Sequence, residues 1–162
     1  EINKLESGTA KITRKMSGVV SVCTSRIDDL GLPAPTFIKI DVEGHEAMVI
    51  EGGYETIQKH KPFIIFETWC TVSDHQSSDA AFEALDKLGY VFFRPAWRRP
   101  DGSKSSTWPH TQPPSNKFRE LTLIQMDFRL RSFMAEHIDI FACHKERLDQ
   151  LLLRFSGKDI EI

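Results

Sequence analysis

A strand–helix–strand pattern in the first half of the chain constrains the fold more than any other feature of the sequence. Residues 37–42 (FIKIDV) are rich in β-branched residues and apolar apart from Lys39 and Asp41, as is typical of a strand covered on both faces. Apolar residues recur at helical spacing through residues 45–61, Pro62 ends that helix, and residues 63–66 (FIIF) predict a second buried strand. Because the connection contains a helix, the pattern predicts two parallel strands in a right-handed βαβ unit.

The rest of the chain continues this alternation. The spacing predicts a helix from near Ser78 to Gly89 and a third strand at residues 90–93. Further strands are predicted at 120–126 and 138–142, a last helix at 146–155, and an upstream hairpin at 9–13 and 19–24. Such alternation predicts an α/β fold with a layered sheet.

One segment, residues 94–117, breaks the pattern. It holds five of the eight prolines and two of the three tryptophans, and it has almost no aliphatic residues. A segment of this length without regular structure is uncommon inside a domain and is usually functional or irregular. We therefore expect a loop insertion rich in Pro, Trp and Arg at 94–117.

Composition narrows the classes of function. The 162 residues suffice for one domain with its own core, and a net charge of −2 argues against a nucleic-acid partner. The apolar runs are too short to span a membrane. The three cysteines, Cys23, Cys70 and Cys143, are widely spaced, and the first residues resemble no signal peptide. Together these features predict a cytoplasmic protein with inert thiols.

The string IKIDVEGHE, residues 38–46, is the strongest candidate for chemistry. Ligands of open α/β sheets bind outside the carboxyl ends of the strands, which is where this string lies. Asp41 and Glu43 are two residues apart, so an extended backbone would point them to the same side. His45 and Glu46 would begin the following helix, and nearby carboxylates would stabilise a protonated histidine.

A purely structural interpretation stays open, because acids at the start of a helix also serve as caps and Gly44 could serve only the turn. A metal-dependent hydrolase using Asp41, Glu43 and His45 is a further alternative. The sequence has none of the spacings of established metal motifs, such as HExxH, so we predict no metal ligand.

The string FIKIDVEGHE, preceded by SVCTSRIDDL and followed by KPFIIFE and LGYVFF, resembles the FkbM-type methyltransferase family over residues 8–146. The resemblance implies a class I, Rossmann-like fold and S-adenosylmethionine-dependent O-methylation of a sugar or another hydroxyl-bearing metabolite. It also implies the strand order third, second, first, fourth, fifth, seventh, sixth, with the seventh antiparallel. On that template residues 37–42, 63–66, 90–93 and 138–142 are strands four, five, six and seven.

The chain departs from the family pattern at its start. The resemblance implies a glycine-rich cofactor loop after the first strand, but Gly8 and Gly18 lie in the predicted hairpin and the sequence begins at Glu1. We therefore expect residues 1–162 to be one N-terminally truncated methyltransferase domain that is inactive alone. The alternative is a non-catalytic remnant or binding module. The truncation would leave the strand at 37–42 as a bare edge that promotes self-association.

The resemblance also implies roles for individual residues. Asp41 would lie against the methionine part of the cofactor or against the acceptor, and Glu43 or His45 would accept the proton of the acceptor hydroxyl. Glu46 would orient His45 and contact the acceptor, or only cap the helix. The remaining acceptor-binding candidates are Glu67 and Trp69, which follow the fifth strand, and Arg98 and Arg99, which would suit an anionic acceptor.

Overall fold

The computed structural model describes residues 23–69, 75–98, 104–106, 120–134, 137–154 and 160–161. Within these residues the strands are β1 (Phe37–Ile40), β2 (Phe63–Trp69), β3 (Tyr90–Arg98), β4 (Lys104–Ser106), β5 (Glu120–Met126), β6 (His137–His144) and β7 (Ile160–Glu161). The α-helices are α1 (Glu46–Gly52), α2 (Tyr54–His60), α3 (His75–Lys87) and α4 (Leu148–Arg154), and short 3₁₀ helices span Ile27–Leu30, Phe128–Phe133 and Lys145–Arg147.

These strands form one mixed sheet in the order β1-β2-β6-β3-β5-β7, with β4 paired to β3. Strands β1 and β2 are parallel, with Phe37 opposite Phe63, as the βαβ pattern predicts. Strand β6 is antiparallel to both of its neighbours, β2 and β3. The predicted α/β class is confirmed.

The two faces of the sheet are covered differently. Alternate strand residues such as Ile40, Phe66 and Ile140 are buried against apolar side chains of α1 to α3, including Ile50 and Phe82. We call this the helical face. On the opposite face a smaller cluster packs under α4, with these members: Phe93, Leu123, Cys143 and Leu151. Towards β1 the opposite face carries exposed Lys39 and Asp41 instead.

The continuous helix predicted over residues 45–61 is wrong, because the chain forms two helices that meet at Gly53. A Cβ at Gly53 would lie 3.3 Å from Ile27 Cδ1, so the glycine permits close packing of the 3₁₀ helix Ile27–Leu30. Asp28 in that 3₁₀ helix then caps α2, since its carboxylate accepts the backbone N–H of Glu55 at 3.1 Å and of Thr56 at 2.9 Å.

Other boundaries also differ from prediction: β1 ends at Ile40 and β2 continues to Trp69. Strand β3 runs to Arg98, five residues into the segment predicted as a loop, because it pairs with β5 along its whole second half. The last helix starts as the 3₁₀ turn Lys145–Arg147 before α4. Residues 9–13 and 19–22 of the predicted hairpin lie outside the described residues, and 23–24 are not in a strand. No described helix is long and apolar enough to cross a membrane.

Candidate functional site

Three carboxylates meet where the parallel strands β1 and β2 end. The chain leaves β1 at Ile40 and passes through residues 41–45 before α1 begins. Because β2 runs parallel to β1, Glu67 near its end lies beside this loop. Carboxylate oxygens of Asp41, Glu43 and Glu67 all lie within 4.8 Å of one another. We call these three residues the carboxylate group.

The loop that carries Glu43 has an unusual backbone. Glu43 has φ +54° and Gly44 has φ +93°, so two successive residues occupy the left-handed region that L-residues other than glycine rarely adopt. The side chain of Glu46 lies beneath the loop and is only 3% exposed. Its Oε1 accepts the backbone N–H of Gly44 at 3.2 Å and of Val42 at 3.4 Å. Two backbone N–H groups of the loop are therefore bonded to a buried carboxylate.

His45 follows Gly44 in the same loop but is not a member of the carboxylate group. Its Nδ1 lies 3.3 Å from the carbonyl oxygen of Val42. A carbonyl only accepts hydrogen bonds, so this bond requires the proton on Nδ1. In the neutral ring, Nε2 is then the nitrogen that can accept a proton.

The ammonium group of Lys39 balances part of this negative charge. Lys39 Nζ lies 2.5 Å from Asp41 Oδ2. The hydrogen bond with Asp41 raises the pKa of Lys39 against the effect of partial burial, and Asp139 and Glu67 act in the same direction. Because both partners are about half exposed, the pair contributes little to stability and can separate when a ligand approaches.

The end of β2 is fixed by an arginine that the sequence did not reveal. Arg131 is 2% exposed, and it donates from Nε to Thr68 Oγ1 at 2.6 Å and from Nη2 to the Thr68 carbonyl at 2.7 Å. Thr68 Oγ1 in turn donates to the Ile138 carbonyl at 3.0 Å. Successive strand residues point to opposite faces, so this buried clamp on Thr68 also fixes the backbone that carries Glu67. Nothing in the spacing of the 3₁₀ helix around Arg131 predicts its burial.

Comparison with known families assigns this strand–helix–strand region. Residues 3–92 match the family model described as the methyltransferase FkbM domain, which is more than half of the chain. The chain belongs to this family. No curated protein matches it, and no solved structure does. The FkbM match includes β1, α1 and β2, and with them all three members of the carboxylate group.

The FkbM family resemblance implies S-adenosylmethionine and puts its nucleoside in a glycine-rich loop after the first strand. Among the described glycines, Gly44 is the one in a loop that leads out of a strand, and it lies four residues beyond the end of β1. That loop carries the carboxylates of Asp41 and Glu43, so the described residues do not form the nucleoside cradle.

The carboxylate group also offers three metal ligands. Within the described residues it is the one group of three His, Cys, Asp or Glu side chains whose ligand atoms lie close enough to share an ion. It differs from the set of Asp41, Glu43 and His45 that the sequence offers, because Glu67 takes the place of His45. An ion here would have to displace the Lys39 ammonium from Asp41.

The candidate residues from the sequence therefore fall into three classes. The carboxylates of Asp41, Glu43 and Glu67 lie close together, and His45 is in the same loop as the first two. Glu46 is buried and bonded to loop backbone, which favours a supporting role over contact with an acceptor. The side chains of Trp69 and Arg98, and all of Arg99, lie outside the described part of the chain. His144, at the end of β6, is buried.

Proposed function

We propose that this FkbM domain catalyses S-adenosylmethionine-dependent O-methylation of a sugar or another hydroxyl-bearing metabolite. We further propose that β1, β2, β3 and β6 correspond to strands four, five, six and seven of a class I, Rossmann-like sheet. The observed order β1-β2-β6-β3, with β6 antiparallel, supports that correspondence, because it is the order that the resemblance implies for those four strands.

The observation that carries the functional proposal is the convergence of Asp41, Glu43 and Glu67 within 4.8 Å at the carboxyl ends of two parallel strands. Ligands of open α/β sheets bind at this edge. Ionised carboxylates only accept hydrogen bonds, so they suit a ligand that offers several hydroxyl donors. A sugar or a polyol has that property.

The chemistry required of the chain is removal of a hydroxyl proton. A neutral hydroxyl is a poor nucleophile, and a base within hydrogen-bond reach typically contributes about 10²- to 10⁴-fold in rate. The Glu43 carboxylate and the Nε2 atom of His45 are the two acceptors available for that proton. Asp41 and Glu67 would hold neighbouring hydroxyls and so orient the reacting oxygen, which contributes through proximity.

The test is transfer of a labelled methyl group from S-adenosylmethionine, using protein expressed from its complete reading frame and a panel of sugars, nucleotide sugars and simple alcohols. We expect methylation of at least one hydroxyl acceptor. Glu43→Gln or His45→Gln should lower kcat by about 10²-fold or more, whichever residue is the base. Glu51→Gln, which alters an exposed carboxylate on α1, is the matched control.

Calorimetric titration of the cofactor distinguishes a failure to bind the cofactor from a failure to transfer the methyl group. Cofactor binding without transfer to any acceptor would contradict the reaction. Full activity in both the Glu43→Gln and His45→Gln variants would contradict the assigned base. Absence of cofactor binding would favour the alternative of a non-catalytic binding module.

We also propose self-association through residues 37–42. Among the described strands, β1 pairs with β2 alone, and Phe37 at its start is 50% exposed. An edge strand of this kind offers unpaired backbone groups to a second chain. Sedimentation equilibrium should show dimers or larger species that dissociate in Phe37→Lys, and a wild-type protein that stays monomeric at high concentration would refute this.

A further inference from the structure

We propose that Glu46 is a positioning residue whose buried carboxylate sets the place of Glu43 relative to Asp41 and Glu67. The inference rests on the proposed function only in taking the carboxylate group as the acceptor side of the site. It assigns to Glu46 no contact with an acceptor.

The first step is the burial of the side chain. Glu46 is 3% exposed, and burial of a carboxylate is unfavourable unless hydrogen-bond donors reach it. The donors that reach Oε1 are the backbone N–H groups of Gly44 at 3.2 Å and Val42 at 3.4 Å. Hydrogen bonds to an ionised acceptor are stronger than those between neutral groups. Glu46 therefore ties both ends of the turn around Glu43 to the first residue of α1.

The second step is that the turn needs such support. Glu43 has φ +54°, a conformation that a residue with a Cβ adopts only when its surroundings impose it. Its carboxylate also lies close to those of Asp41 and Glu67, and like charges repel. Both effects favour opening of the turn, so without the two bonds to Glu46 we expect Glu43 to move away from the other two carboxylates.

The third step separates this role from ordinary helix capping. A carboxylate that only caps a helix accepts N–H groups of the first helical turn or, in a capping box, the N–H of the N-cap residue. Both donors here, Val42 and Gly44, precede the N-cap residue His45. Glu51 on the same helix is exposed, so it provides a control for loss of one carboxylate from α1.

The experiment measures the convergence of the carboxylates directly, without cofactor or acceptor. Terbium(III) serves as a probe because, like other hard cations, it prefers several carboxylate oxygens at once. Its affinity is followed by luminescence, and hydrogen exchange is followed at the Val42 and Gly44 amides by NMR. The variants are Glu46→Ala, Glu46→Gln and Gly44→Ala, with Glu51→Ala as the control and Glu43→Gln as the reference for a lost ligand.

In Glu46→Ala we expect terbium affinity to fall by about tenfold, towards that of Glu43→Gln, and exchange at the two amides to accelerate by at least about tenfold. Glu46→Gln keeps an oxygen that accepts both bonds and should stay within about threefold of wild type. Gly44→Ala makes φ +93° unfavourable without a steric clash and should reproduce the loss. Glu51→Ala should change neither measurement.

Unchanged affinity and exchange in both Glu46→Ala and Gly44→Ala would overturn the proposal, and so would a wild-type protein that binds no terbium. If Glu46→Ala does not fold, the comparison of Gly44→Ala with Glu46→Gln decides. A protein that behaves as expected here but transfers no methyl group would refute the proposed function alone.

Discussion

Polar groups are arranged differently at the two ends of the sheet. At the end where β2 and β3 begin, the Tyr90 hydroxyl donates to the Pro62 carbonyl at 2.9 Å. There Arg147 Nη1 donates to the Lys61 carbonyl at 2.8 Å, and its guanidinium lies 4.0 Å from the centre of the Phe63 ring. Each group has a neutral partner that satisfies it, which is how polar atoms normally contribute to a stable fold.

At the other end three carboxylates lie within 4.8 Å of one another, and one of them, Asp41, pairs with the exposed ammonium group of Lys39. This arrangement does not maximise stability, because like charges repel and the loop backbone is strained. Local departures of this kind from stabilising chemistry are concentrated at functional sites. Strand β2 therefore begins among satisfied polar groups and ends beside an unfavourable arrangement of charges, where the buried Arg131 holds Thr68.

The largest expected effect tests the anchor beneath the functional end. Arg131→Met removes both hydrogen bonds to Thr68 and should lower the free energy of unfolding by about 3 kcal/mol. Chemical denaturation measures it. Arg129→Met is the control, because its guanidinium is exposed and, among the described residues, contacts Asp127 and the Phe128 ring. Equal losses in the two variants would contradict the clamp.

The second prediction tests how tightly the opposite end is packed. Gly89 has φ +85°, and a Cβ there would lie 3.1 Å from His144 Nε2. Gly89→Ala should therefore cost about 2 kcal/mol, from backbone strain and displacement of the His144 ring. Gly31 also has a left-handed backbone, but a Cβ there meets nothing within 4 Å. Gly31→Ala should therefore lower the stability by less than Gly89→Ala does, and thermal unfolding measures both variants. A smaller loss at Gly89 would refute the packing argument.

The third prediction concerns pH. Burial, followed by the charge of Lys61, lowers the pKa of His144, and its Nδ1 accepts the backbone N–H of Glu146 at 3.2 Å. The folded state thus binds a proton less readily than the unfolded state, so the free energy of unfolding should fall as the pH drops below about 6.5. His144→Gln should flatten this dependence in denaturation series at several pH values.

Two carboxyl groups contribute to the pH dependence in a lower pH range. The pKa of Asp28 is lowered because hydrogen bonds from Thr56 and Glu55 outweigh its burial, and the Lys61 hydrogen bond lowers the pKa of Glu146. Both contributions are lost only as the pH falls below about 4.5. A His144→Gln variant that kept the whole slope between pH 5 and 7 would contradict the assignment to His144.

The smallest effect is expected at the functional end. Lys39→Met breaks the exposed pair with Asp41, and such pairs contribute about 0–1 kcal/mol, so stability should change little. Terbium affinity of the carboxylate group should rise because the competing ammonium is gone. A large loss of stability would show that Lys39 anchors the strand, and the contrast between the two ends would disappear.

The sequence predicted the parts of this molecule that depend on local pattern. The apolar periods of β1 and β2 were sufficient to place two parallel strands. The extended backbone expected from Asp41 to Glu43 is wrong, because Glu43 has φ +54° and a turn brings the two carboxylates together. Glu67 was a candidate because it follows the next strand of the family template, and it lies with them.

What the sequence did not show depends on contacts between distant segments. The break at Gly53 exists because Ile27 packs against it, and Asp28 caps a helix that begins 26 residues later. Arg131 reaches Thr68 across 63 residues. His144 is buried because the strand that carries it lies inside the sheet, and burial likewise raises the pKa of the Cys143 thiol to about 11. No local pattern encodes these partners.

Strand β3 pairs with three other strands. On the edge that β5 leaves free, β6 pairs as far as Phe93 and β4 pairs from Ala96, so the sheet divides at Arg94 and Pro95. Inserting one residue between Tyr90 and Arg98 would reverse the faces of the strand residues beyond it and unpair one of these branches. We therefore expect insertions within β3 to be excluded, because the register of all three neighbouring strands depends on its length.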